Sequence, residues 1–105
     1  MNIKYATYEN YNELIKEGFS IVDFFTNTCG PCKVFAKILE ELSLELPFIN
    51  IIKVNLSDYP AFGKELNIDA VPTVLFIKDG KEVERVVGLM SADEVTEKIG
   101  QYYYE

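Results

Sequence analysis

The chain's only two cysteines stand three residues apart in the run Cys29-Gly30-Pro31-Cys32. That spacing puts both on one face of a first helical turn, so their sulfurs can bond with little backbone movement. The run lies between an apolar strand pattern, Ser20–Thr26, and a long amphipathic helix pattern, which places Cys29 at the helix N-terminus. Unpaired N–H groups and the helix dipole favour an anion there. Such a terminus is worth about 0.3–1 kcal/mol when exposed and up to ~2 kcal/mol when partly buried. At about 1.36 kcal/mol per unit, the larger value lowers a thiol pKa from ~8.5 by at most ~1.5. The thiolate is the reactive form, and near neutrality it rises from a few per cent of the population to about half. Part of this gain is offset, because a more acidic thiol is a weaker nucleophile. Pro31 is tolerated at a helix start and stiffens the turn, while Gly30 keeps side-chain bulk away from an incoming substrate. Cys32, one turn in, is expected to be shielded. Dithiol–disulfide exchange is the chemistry this arrangement suits.

Two other uses of a cysteine pair stand beside it. A structural disulfide is one, although a cytoplasmic chain of this size neither needs such a bond nor readily keeps it. Half of a zinc site is the other. With no histidine and no third cysteine, it would need a Cys₄ site bridging two chains. The absence of histidine also removes the usual general base. Ten Lys/Arg against seventeen Asp/Glu give a formal net charge of −7, which disfavours nucleic acid and anionic membrane as partners. No apolar run approaches the roughly 20 residues needed to span a bilayer. The N-terminus, Met1-Asn2-Ile3-Lys4-Tyr5, lacks the apolar segment of a secretory signal, so a complete gene product of this sequence is expected in the cytoplasm. A mature chain with its signal removed would read the same way.

The elements that must hold the cysteines follow from changes of apolar period. At 105 residues the chain is expected to form one domain, 1–105, with a real core. Ile3–Ala6 reads as a weak first strand. Asn10-x-x-Glu13 can cap a short helix carrying Tyr11, Leu14 and Ile15 inward, with Gly18 placed to end it. Ser20–Thr26 is continuous enough to be a central strand buried on both faces. Phe35, Ile38, Leu39, Leu42 and Leu46 recur at helical spacing until Pro47. Ile49–Asn55 is another apolar strand, and Asp58 and Pro60 suit the start of a short helix, with Pro60 in its first turn, where a missing N–H costs little. Thr73–Ile77 and Glu82–Val87 flank Asp79-Gly80, a hairpin signal. Ser91-x-x-Glu94 is a capping box for a last helix. The order βαβαβαββα implies an α/β protein: a mixed five-stranded central sheet with four helices on its two faces.

The motifs Val22-Asp23-Phe24-Phe25, Cys29-Gly30-Pro31-Cys32-Lys33, Val71-Pro72-Thr73 and Val87-Gly88 resemble the thioredoxin family in content, order and spacing. The resemblance covers essentially the whole chain and implies the thioredoxin fold. It implies a protein-disulfide reductase in which Cys29 is the nucleophile and Cys32 the resolving thiol. Reducing equivalents would come from a thioredoxin reductase, with no metal or organic cofactor. Asp23 resembles the family's buried carboxylate behind the pair. It is also the one charge in an otherwise apolar strand, where burial would raise its pKa and suit it to proton transfer with Cys32. A cap at a strand edge is the alternative. Lys53 resembles the family's partner for that carboxylate, or is a solvated strand lysine. Pro72 corresponds to a cis-proline facing the disulfide, against an ordinary trans turn proline. Val71 would offer backbone hydrogen bonds to an extended substrate. Gly88 would complete a shallow groove with Thr28, Gly30 and Pro31, or simply end a strand.

Three departures from the family pattern stand out, and Thr28 bears on substrate range. Thr28 stands where tryptophan is common, Phe25 is the aromatic two residues after Asp23, and Lys37 replaces a proline in the long helix. The first exchanges an apolar contact surface for a small hydroxyl, and the last removes a cause of helix kinking. Thr28 does not remove a group that the exchange requires. Thr28 raises a second reading, a reductant dedicated to one partner. A third is a binding module with the same fold and no redox role.

Overall fold

Strand β2, Phe19–Phe25, is buried along almost its whole length, and the other elements are arranged around it. In the computed structural model, which describes residues 2–104, β1 (Ile3–Tyr5) is followed by α1 (Tyr11–Ile15), β2, α2 (Gly30–Glu45) and β3 (Asn50–Asn55). Then come α3 (Ala61–Glu65), β4 (Thr73–Lys78), β5 (Lys81–Val87) and α4 (Ala92–Tyr102). The sheet order is β1-β3-β2-β4-β5. Strands β1, β3 and β2 run parallel, and β4 and β5 are antiparallel to their neighbours. This is the expected five-stranded mixed sheet with four helices. Each strand boundary falls within a residue of its expected place.

The two-residue period of the strands divides the core between the faces. Ile21, Ile51, Val74 and Phe76 pack with Phe35, Leu39 and Leu42 of α2 and with Val95 and Ile99 of α4. Val22, Phe24, Ile52, Val54 and Leu75 pack instead with Tyr11 and Ile15 of α1 and Phe62 of α3. Both faces being covered explains the unbroken apolar run of β2. The α2 stripe of Cys32, Phe35, Leu39 and Leu42 is buried and shows the expected helical spacing. Lys37 lies on the exposed side, and α2 runs unbroken through it.

The turns bear out the positions that need left-handed backbone. Asp79 and Gly80 have φ of +50° and +84°, as a type I′ hairpin turn demands. Gly18, at φ +74°, donates its N–H to Asp79 Oδ1 at 2.8 Å and accepts the Asp79 N–H at 2.9 Å. The Ser91–Glu94 capping box is reciprocal, with bonds of 3.1 and 3.2 Å. Two helix starts differ from expectation. Asn10 does not cap α1, because its Oδ1 accepts the Thr7 N–H at 2.7 Å while Thr7 Oγ1 accepts the Asn10 N–H at 3.2 Å. That side chain is used up in a turn before the helix. Pro60 precedes α3 as its N-cap rather than lying in its first turn. The end of α3 was not legible beforehand: Asn67 takes φ +57° and Ile68 N–H reaches back to Gly63 O at 2.7 Å, a Schellman-type close.

Phe35 joins α2 to the sheet and has no exposed surface. Phe35→Ala is expected to cost about 3–5 kcal/mol, as large-to-small core changes do. Phe48→Ala, at a half-exposed site, is expected to change stability by less than about 1 kcal/mol. Urea unfolding of the two variants checks the contrast.

Candidate active site

The start of α2 is built by its own sequence. Cys29 is the N-cap, in extended backbone, and Pro31 occupies the first turn, where its missing N–H leaves no bond unmade. Cys29 Sγ accepts the backbone N–H of Cys32 at 3.1 Å, so the sulfur meets the donors of the helix terminus directly. The two sulfurs are joined in a disulfide, with the Cα atoms 5.2 Å apart. Cys29 is 9% exposed and Cys32 is 3% exposed, an asymmetry that makes Cys29 the sulfur more open to attack. A Cβ built on Gly30 meets nothing within 4 Å. Glycine there is not required by the fold and leaves open space beside the disulfide. Thr28 is exposed just before Cys29.

Asp23 follows Ile21 by two residues, so it faces α2. Lys53 follows Ile51 by two and faces the same way. The parallel register then places Asp23 directly opposite Lys53. Asp23 has no exposed surface and its Oδ2 lies 2.8 Å from Lys53 Nζ, with the lysine side chain 7% exposed. Both are interior residues, which excludes the strand-edge cap and the solvated lysine. The contact has ion-pair distance but not hydrogen-bond angles, and neither carboxylate oxygen has a hydrogen-bond donor among the described residues. Burial therefore pushes the Asp23 carboxyl above its ordinary value of 3.8, and the charge and proximity of Lys53 pull it only part of the way back.

Cys32 belongs to the buried stripe of α2 and to its first turn. Asp23 lies on the sheet face that this stripe covers, two residues from the end of β2. A cavity of roughly 210 Å³ opens beside them, lined by Cys32, Lys53, Phe25, Tyr5, Asn27 and Ala36 among others. Lys53 Nζ sits 4.7 Å from the centroid of the Phe25 ring, and Tyr5 packs edge-on against that ring at 6.5 Å. The part played by Phe25 and Tyr5 was not foreseen. Alternation offered a signal for Phe25, which lies on the same face of β2 as Asp23. A larger cavity, about 410 Å³ between α1 and α3, includes neither a cysteine nor another candidate site residue.

The remaining candidates come from the same end of the sheet. Thr73, at the start of β4, pairs with Phe24 near the end of β2 and with Val87 at the end of β5. The preceding Val71–Pro72 peptide bond is cis, as the resemblance implied, and Pro72 O accepts the Gly88 N–H at 2.8 Å. Gly88 has φ +108°, a conformation that favours glycine.

A disulfide at a helix N-terminus, set above a buried carboxylate on a mixed sheet of this order, defines a dithiol–disulfide oxidoreductase. The thioredoxin family model matches residues 2–101. A thioredoxin of Chlamydia caviae is 41% identical over 100 residues, covering 95% of this chain and 98% of that protein. One from Staphylococcus saprophyticus is 33% identical over 103 residues, covering 97% and 99%. Among solved structures, a mutant thioredoxin from Halobacterium salinarum matches with a TM-score of 0.88 at 25% identity, over 96% of this chain and 90% of that one. The chain belongs to the thioredoxin family. Membership implies disulfide-bearing substrates and a thioredoxin reductase that restores the dithiol. No helix among the described residues is long and apolar enough to cross a membrane.

The raised Asp23 pKa fixes a sign. Between 3.8 and the higher folded value, the native state binds more protons than the unfolded chain, so stability falls as pH rises through that window. Asp23→Asn removes this titration. The variant is expected to gain stability relative to wild type as pH rises above the ordinary 3.8, as followed by urea unfolding at each pH. A relative loss as pH rises would mean that Lys53 outweighs burial.

Proposed function

We propose that the chain acts as a single domain, 1–105, that reduces protein disulfides in the cytoplasm as a monomer. It would use no metal or organic cofactor and bind neither nucleic acid nor membrane. The acidic surface supports the last point. The outer strands support the monomer: β1 is short, and β5 carries Lys81, Glu82, Glu84 and Arg85, which discourage edge pairing. The observation that carries the reading is the Cys29–Cys32 disulfide at the α2 N-terminus, over the buried Asp23–Lys53 pair.

The proposed mechanism begins with the reduced pair. Cys29 thiolate attacks one sulfur of a substrate disulfide, that S–S bond breaks, and the other substrate sulfur leaves as a thiolate that takes a proton from water. The product is a mixed disulfide through Cys29. Cys32 then gives its proton to the Asp23 carboxylate and attacks Cys29 Sγ. This breaks the mixed disulfide and releases the second substrate sulfur. Two electrons have passed to the substrate, and Cys29–Cys32 is oxidised. Lys53 holds Asp23 in place and moderates its proton affinity. Thr28, Gly30, Pro31, Val71, Pro72 and Gly88 line the groove in which the substrate lies, Val71 through its backbone. The convergence of the β2, β4 and β5 ends supports that groove.

Reduction of insulin disulfides with dithiothreitol as electron source tests the activity. Cys29→Ser is expected to abolish it, and Cys32→Ser to react once and stall as a covalent complex. Faster alkylation of Cys32 than of Cys29 in the reduced wild-type protein would reverse the assignment. The exposed Thr28, in place of a bulky apolar collar, favours a second reading, a reductant with one dedicated partner. The complexes trapped by Cys32→Ser decide between the two: many partners for a general reductant, one for a dedicated one.

A further inference from the structure

Between β2 and α2 lie only four residues, Thr26-Asn27-Thr28-Cys29, and the first three carry the N-cap Cys29 from the sheet to the helix. The middle residue of those three is held twice. Asn27 N–H donates to Ser57 Oγ at 3.1 Å, and Asn55 Nδ2 donates to Asn27 Oδ1 at 2.9 Å. The ring closes through Ser57 N–H, which donates to Asn55 Oδ1 at 2.9 Å. Leu56 N–H donates to Phe25 O at 2.8 Å, so the β2–β3 pairing continues beyond Phe25 and Asn55, which are register partners. Main-chain bonding then hands over to the three side chains. We propose that Asn55, Ser57 and Asn27 form a clamp that positions Cys29 for attack, with Asn55 as its keystone positioning residue.

The physical argument is one of reach. Cys29 Sγ accepts the Cys32 N–H at 3.1 Å, a contact that depends on where the end of the preceding loop puts the Cys29 Cα. With Asn27 gripped at its N–H and at its side-chain oxygen, two peptide units separate the clamp from Cys29. Without the grip, the loop samples conformations in which the sulfur leaves the helix donors, and the thiolate loses their support. Among the described residues no clamp side chain hydrogen-bonds to either sulfur, so the clamp acts through the loop. The bonds are solvent-exposed, and water replaces each one in part. The effect is therefore a fraction of the rate rather than its abolition.

The proposal rests on Cys29 being the attacking sulfur. Its test is the pH profile of Cys29 alkylation by iodoacetamide in the reduced full-length protein, read by mass spectrometry, with thermal midpoints measured alongside. Asn55→Ala is expected to slow alkylation near neutrality about threefold, the equivalent of one net hydrogen bond, and to move the profile to higher pH by about half a unit. Ser57→Ala, at an exposed position, is expected to act in the same direction and guards against a folding defect in the first variant. The Asn27→Ala/Asn55→Ala double variant is expected to be no slower than Asn55→Ala alone, because Asn55→Ala already removes the side-chain bond that Asn27→Ala breaks. Variant profiles that superimpose on wild type, whatever happens to the thermal midpoint, would overturn the clamp, as would single effects that multiply. Faster alkylation of Cys32 in the wild-type protein would instead remove the nucleophile assignment, and this proposal with it.

Discussion

A carboxylate with no exposed surface in the central strand is the constraint around which this molecule is organised. An isolated ionised carboxylate is costly to bury, so Asp23 needs a cation inside the protein. The parallel register of β2 and β3 supplies one by placing Lys53 opposite it. A slip of one residue would turn Asp23 towards Phe62 and Tyr11 and leave Lys53 facing an apolar neighbour, so the pair penalises every register but the native one. The aromatic ring of Phe25 then covers the ammonium from the outer side. Sheet pairing, strand facing and the wall of the active-site cavity thus all depend on one ion pair.

The pair is placed where it disfavours stability and suits chemistry. Burial wins over Lys53 at Asp23, so the carboxyl holds a proton more tightly than a surface aspartate does. A buried ion pair of this kind is often replaceable by apolar residues without loss of stability. Its presence beneath the first turn of α2 is accounted for by the proposed proton transfer from Cys32. The two ends of that transfer are set by different periodicities. Cys32 lies on the 3.6-residue stripe of α2 and Asp23 on the two-residue alternation of β2, and the βαβ crossover brings the stripe over the strand.

Much of this is legible in the sequence. The cysteine spacing, the buried strand, the amphipathic helix and the Asp79-Gly80 turn are local signals, each written within one turn or one strand. Lys53 was harder, because its neighbour is 30 residues away and only the register joins them. Asp23 stood out as a charge in an apolar run, yet whether it was buried or capped an edge depended on strand order. The Asn10 side chain was misassigned because Thr7 competes for it, and helix-cap patterns do not count the residues upstream. Phe25 and Tyr5 read as ordinary aromatics until the sheet placed them beside Lys53. The Asn27–Asn55–Ser57 ring had no sequence signature, since polar residues near strand ends and in loops are common and Asn27 meets its partners at the end of β3 and just beyond it.

The central claim is that desolvation outweighs Lys53 at Asp23, and titration of that one carboxyl measures it most directly. Carbon-13 NMR of the Asp23 side-chain carboxyl in the oxidised protein, followed against pH, reports its protonation without relying on unfolding or activity. The account predicts a midpoint clearly above the ordinary 3.8, moving higher still in Lys53→Met, where the attraction is removed. A midpoint at or below the ordinary value in the wild-type protein would contradict it. Asp23 would then be a satisfied structural carboxylate, with no special affinity for the proton of Cys32.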